Sequence, residues 1–186
     1  YMSDVIYEEK YDNILSCYYL GLILNVALSC LFGIPFCVWE YIAGGVHLLF
    51  VFTGFCGYIA LVLVFYSMLY LSICKDYQKI SLYFLLGMVF AFLMSLFLVW
   101  GCHREIAYSM LLALTCGFFL TAALEAATIQ RYFKKNSNCY KEVLAYFKKY
   151  WQLVAVNFLY TLGLYIHNFV FWNTDLRMVV ANSFVF

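Results

Sequence analysis

Charge is scarce in this chain. Lys, Arg, Asp and Glu make up only 11% of its 186 residues, against about a quarter in an ordinary soluble domain. Between Leu48 and Cys74, 27 successive residues include no Asp, Glu, Lys, Arg or His. At about 1.5 Å of helical rise per residue, such a run reaches roughly 40 Å, enough to cross a hydrocarbon core of about 30 Å with some tilt. The shortage of charge excludes a water-soluble domain, whose exterior needs it. The abundance of apolar residues (67% hydrophobic, 22% aromatic, mean hydropathy +0.87) makes the lipid bilayer the covering medium.

Other absences narrow the chemistry. The eight cysteines, at 17, 30, 37, 56, 74, 102, 116 and 139, are scattered through apolar runs with no CxxC pair and no Cys/His cluster. They read as small hydrophobes rather than disulfides or metal ligands. The chain has no HExxH, GxSxG, P-loop or GxGxxG string, and no close carboxylate pair within a span, so neither an enzyme nor a bound cofactor is expected. The Cys102-His103-Arg104-Glu105 string is isolated in a short loop. A net charge of +1 and a pI near 7.7 point to no nucleic-acid partner. A basic segment followed by a short apolar core is absent, the first residue is Tyr1, and the chain ends within the apolar string Met178 to Phe186. The expectation is a fragment of a longer membrane protein.

Five apolar segments stand out: Ile14 to Ile34, Val46 to Cys74, Ile80 to Trp100, Ile106 to Ile129, and Tyr150 to Trp172. An unpaired backbone amide is costly in hydrocarbon, so long apolar runs without period-two alternation predict helices rather than barrel strands. The expected fold class is all-α, a polytopic transmembrane helix bundle. Short connections at Pro35 to Gly45, Lys75 to Lys79 and Gly101 to Glu105 make successive helices antiparallel. Alternating sidedness puts nine Lys and Arg residues on one side, six of them between 131 and 149, and only Arg104 and Arg177 on the other. Positive charge collects on the cytoplasmic side, so residues 1–13 and 131–149 are expected there. Within the basic bridge, Tyr140, Val143, Leu144, Phe147 and Trp151 fall at helical spacing. This pattern fits an amphipathic helix lying in the membrane plane, or a snorkelling end of the fifth span. The KKNSN string before it is a polar break and the best boundary candidate in the chain, and residues 173–186 after the fifth span are expected in an outer loop.

Ionisable and amide groups at bilayer depth mark candidate function. His167 and Asn168 lie near the end of the fifth span, with Asn157, Tyr160 and Tyr165 on the same segment. They are candidates for the wall of an aqueous substrate path, or for interhelical hydrogen bonds. Glu125 sits among Thr121, Ala122, Ala123, Ala126, Ala127 and Thr128, either binding a cation or making a structural polar contact. Asn25 reads as a bundle contact. Glu40, His47, His103, Arg104 and Glu105 read as solvated outer-loop groups.

The opening YMSDVIYEEKYDNILSCYYLG carries Ser3, Asp4, Tyr7, Tyr11, Asp12 and Ile14, and the segment WQLVAVNFLYTLGLYIHNFVFW carries Leu162, Gly163, Ile166, Phe169, Phe171 and Trp172. Together they resemble the PelG family of Pel exopolysaccharide exporters, within the polysaccharide flippases and multidrug exporters built from two six-helix lobes. The resemblance implies that the five spans correspond to helices three to seven of twelve. It also implies a polysaccharide or lipid-linked saccharide as substrate and a polysaccharide synthase complex as partner. Where the family motif carries an acid–base pair this chain has His167-Asn168, so no ion-pair role is carried over. Rival expectations are a cation-coupled drug antiporter of the same superfold, a membrane subunit of a glycosyltransferase or acyltransferase complex, and a purely structural assembly subunit.

Overall fold

The computed structural model describes residues 13–134, 140–172, 179–180 and 184–185. Each long apolar run is a helix, because a helix pairs its own backbone amides and needs no water to do so. In chain order these are α1 (Ile14–Ile42), α2 (Leu48–Ile73), α3 (Tyr77–Leu96), α4 (Ile106–Tyr132), α5 (Tyr140–Lys149) and α6 (Trp151–Trp172). A π-helical turn, Phe97–Gly101, prolongs α3. A two-residue antiparallel ladder pairs β1 (Val179–Val180) with β2 (Phe184–Val185). Among the described residues, α1, α2, α3 with its π turn, and α4 are each long and apolar enough to cross a membrane.

The first span differs from expectation. Instead of stopping before Pro35, α1 continues through it to Ile42, and the first connection shrinks to residues 43–47. Proline removes one hydrogen bond, to the carbonyl of residue 31. Unwinding residues 36–42 would release several backbone groups into an apolar surround, a larger cost. The fourth span also runs past Ile129 to Tyr132. The bridge pattern forms a helix of its own: α5 ends at Lys149, a turn at Tyr150 separates it from α6, Val143 is buried, and α5 packs against α1. Residues 135–139, most of the KKNSN break, lie outside the described residues. So do residues 1–12, with Ser3, Asp4, Tyr7, Tyr11 and Asp12 of the opening motif, and residues 173–178, 181–183 and 186.

Tight caps set the antiparallel hairpins. Cys74 ends α2, and Lys75 follows in the left-handed region at φ 58°. The Lys75 amide donates to the Ser72 carbonyl at 3.0 Å and the Asp76 amide to the Leu71 carbonyl at 3.2 Å, a Schellman arrangement that satisfies carbonyls α2 would leave open. Asp76 then caps α3, its Oδ1 accepting from the Lys79 amide at 3.3 Å. At the opposite end of the bundle, His47 Nδ1 accepts from the Leu49 amide at 3.3 Å and starts α2.

α4 packs chiefly on α2 and α3, and α1 packs chiefly on α2. Small residues permit the closest crossing. A Cβ added at Gly117 would lie 2.6 Å from the Gly87 carbonyl oxygen and 2.8 Å from the Ala91 Cβ, so the α3 and α4 backbones touch with no room for a larger side chain. In lipid, where hydrophobic burial gives helices little reason to associate, such close packing and interhelical hydrogen bonds hold the bundle together. The outward faces carry large apolar side chains, among them Phe32, Phe52, Leu85, Phe92 and Trp100.

Candidate functional site

The interior of the bundle is polar in a way a soluble core is not. Ser16, Ser29, Glu40, Thr53, Ser67, Ser109, Thr115, Thr121, Glu125 and Thr128 are all buried. Thr115, Thr121 and Thr128 recur at six- or seven-residue spacing along α4 and return their hydroxyl protons to carbonyls one turn back, at Leu111 (2.8 Å), Gly117 (3.0 Å) and Leu124 (2.9 Å). Thr128 Oγ1 also pairs with Tyr83 OH at 2.8 Å, joining α4 to α3.

At the end of the bundle marked by Lys75, three tyrosines join α1 to α2. Tyr18 OH pairs with Ser67 Oγ at 2.9 Å, Tyr66 OH donates to the Tyr18 carbonyl at 3.0 Å, and the Tyr66 and Tyr70 hydroxyls lie 2.9 Å apart. The Tyr18 and Tyr70 rings meet edge to face, with centroids 4.9 Å apart, the arrangement an aromatic quadrupole favours. Ile14, Leu15, Leu71 and Ile129 complete this packed cluster.

Glu125 lies buried beside it, 1% exposed, with Tyr18 within electrostatic range. Its Oε2 has no hydrogen-bond partner among the described residues. The structural polar contact expected for this side chain is therefore not made by that oxygen. A carboxyl in this position is costly unless it is protonated or receives a cation.

Below the cluster, Lys79 Nζ pairs with Asp76 Oδ2 at 2.8 Å, and Tyr132 OH bonds to both. The Lys79 ammonium, and then the Tyr132 hydroxyl, hold the Asp76 carboxyl below its ordinary range. These groups tie the α2–α3 turn to the end of α4, and Asp76 and Tyr132 border a cleft of about 680 Å³ lined also by Ile14, Cys74 and Phe133.

The second buried carboxyl was not foreseen. Glu40, expected in a solvated loop, stands in the last turns of α1 at 5% exposure, because the helix continues past Pro35. Its Oε2 likewise lacks a partner among the described residues, and it lines a cavity of about 490 Å³ between α1 and α2. An uninterrupted apolar pattern on both sides of Pro35 was the signal that could have found it. His47, His103, Arg104 and Glu105 line a separate cleft where the α1–α2 and α3–α4 turns meet, and all four are exposed, as expected.

The remaining candidates belong to α6. Asn157, Tyr160 and His167 are exposed and, at about 3.6 residues per turn, fall on one side of that helix. α6 does not pack extensively on α1 to α4, so these residues are not brought together with Glu125. The side chains of Tyr165 and Asn168 lie outside the described residues. Asn25 turns back on its own helix, donating to the Gly21 carbonyl at 2.8 Å, rather than bridging two helices. Among the described residues no group of three His, Cys, Asp or Glu side chains is placed to hold a metal ion.

Four long apolar helices, a small-residue seam and buried hydroxyls define a membrane protein built as a helix bundle. The family model "PelG: Putative exopolysaccharide Exporter (EPS-E)" matches residues 1–186, the whole chain, and the chain belongs to that family. No curated protein and no solved structure gives a match.

Proposed function

We propose that the chain is part of an exporter that carries an extracellular polysaccharide, or a lipid-linked saccharide, across the bacterial inner membrane by alternating access of two lobes. The observation that carries this reading is the family match along the full sequence. The four helices α1 to α4 would belong to the first lobe and α6 would be the fifth span, opening the second of two lobes in a twelve-helix protein. The lysine and arginine bias supports cytoplasmic placement of the N-terminal segment and of residues 131–149. Export alters no covalent bond, so the chain would be no enzyme and would receive polymer from a synthase complex.

A saccharide path needs hydroxyl and amide partners with aromatic platforms more than fixed charge. Asn157, Tyr160, Tyr165, His167 and Asn168 would supply one wall, with the exposed side of α6 turned toward it. The test is secretion of polysaccharide by cells carrying His167→Leu with Asn168→Leu in the full-length protein, inserted at normal levels. Export should fall severalfold or more, and unchanged export removes these residues from the path.

A second reading within the same superfold has its own observation. The buried Glu125 carboxyl with an unpartnered oxygen is suited to take up and release a coupling proton or cation. Glu125→Gln would then abolish the response of transport to an imposed proton or sodium gradient, whereas gradient-independent transport in the wild type argues against this reading.

A further inference from the structure

The cavity at Glu40 lies toward the end of the bundle opposite Lys75, between the late turns of α1 and the first turns of α2. Phe32, Phe36, Phe50, Phe55 and Tyr58 line it together with the carboxyl. One wall is open backbone: a Cβ added at Gly54 would meet nothing within 4 Å. The carboxyl is more than nine-tenths buried, faces a space of about 490 Å³, and keeps an oxygen with no partner among the described residues. That volume falls within the range of ordinary small-molecule sites.

The chemistry of the lining selects the occupant. A bare metal ion needs several oxygen or nitrogen ligands, and no cluster of that kind occurs among the described residues. A neutral hydrocarbon would suit the rings and make no use of the carboxyl, whose Oε2 would stay without a partner. A cation that carries its own carbon shell satisfies both. Its charge meets the carboxylate, while its polarised methyl or methylene groups lie against aromatic faces, whose negative quadrupole attracts them.

We propose that the Glu40 cavity is a binding site for an organic ammonium group, with Glu40 as counter-ion and the surrounding aromatic rings as the cage for its carbon substituents. The same chemistry is offered by a soluble amine and by an ethanolamine lipid headgroup. The site is separate from Glu125 and from α6, and it does not rest on the export reading.

The test uses the full-length protein in phosphatidylglycerol nanodiscs and radiolabelled benzyltrimethylammonium as probe, read by scintillation proximity. Saturable binding is expected, weakened at least tenfold by Glu40→Gln and by Gly54→Leu, which fills the cavity while keeping the carboxyl. Asp76→Asn, at the opposite end of the bundle, should leave binding unchanged. Neopentylbenzene, the uncharged carbon isostere, should not displace the probe. Weaker probe affinity in phosphatidylethanolamine nanodiscs would show the lipid headgroup competing for the site, and equal affinity would assign the site to soluble amines. Absence of saturable binding in phosphatidylglycerol, equal affinity in Glu40→Gln, or displacement by the isostere overturns the proposal.

Discussion

α1 and α4 are both long and apolar, yet the bundle uses them differently. In its most apolar stretch α4 has 33% of residues buried, and α1 only 6%. Ser109, Ala113, Thr115, Gly117, Thr121, Ala122, Glu125 and Thr128 all turn inward on α4, and small side chains let two neighbours approach it. α1 exposes Leu31, Phe32, Phe36 and Trp39 and meets α2 mainly through its first turns at Tyr18. In a membrane, hydropathy therefore says that a helix enters the bilayer, while side-chain size says how central it will be.

The sharpest way to break this contrast is to enlarge the seam of α4. Gly117→Leu should cost about 3 kcal/mol or more, because the added atoms collide with backbone that cannot yield. Gly54→Leu on α2, where the space is open, should change stability by about 0.5 kcal/mol or less in either direction. Thermal unfolding in detergent of the two variants beside the wild type measures the difference, and equal losses would refute the placement of the seam.

A middle-sized effect tests how α1 is attached. Tyr18→Phe leaves the buried Ser67 hydroxyl without its partner and should cost about 1 kcal/mol, with Ser67→Ala costing less and the double variant recovering part of the loss. Additive losses in that cycle would show that the pair is not coupled.

The smallest effect belongs to the turn between α2 and α3. Asp76 is held ionised in the folded chain by Lys79 and Tyr132, so its folded pKa lies below that of the unfolded carboxyl, near about 3.9. Its contribution to stability is present above that unfolded value and is lost as pH falls through the lower, folded one. Asp76→Asn should lower the unfolding temperature slightly at neutral pH, and the difference from wild type should shrink in acid. A difference that grows in acid would contradict the assignment.

How much of this was legible in the sequence follows from what each signal encodes. The five apolar runs predicted helices where α1 to α4 and α6 stand, because hydrocarbon leaves the backbone no alternative to helix. The spacing of Tyr140, Val143 and Leu144 fitted either an amphipathic helix or an end of the fifth span, and the structure has a separate α5 with Val143 buried. The end of α1 was misplaced because Pro35 is a local signal for stopping, outweighed by apolar residues on both sides. That error also hid Glu40, a charge read as loop. Glu125 was singled out because a lone carboxyl in an Ala- and Thr-rich run is rare at depth. That its Oε2 meets no partner among the described residues could not be read, since the neighbouring Tyr18 stands more than a hundred residues away in the chain.

By itself the sequence determined the solvent, the helical class, the membership of a polysaccharide-exporter family and the imbalance of positive charge, because each depends on composition or on a linear pattern. Only the tertiary structure decided that Gly87 and Gly117 touch, that Tyr18 reaches Ser67, and that Glu40 faces a cavity while Glu125 is enclosed. Those facts depend on which helix faces come together, and in lipid nearly all such faces are equally apolar, so the choice rests on the fit of small side chains against one another.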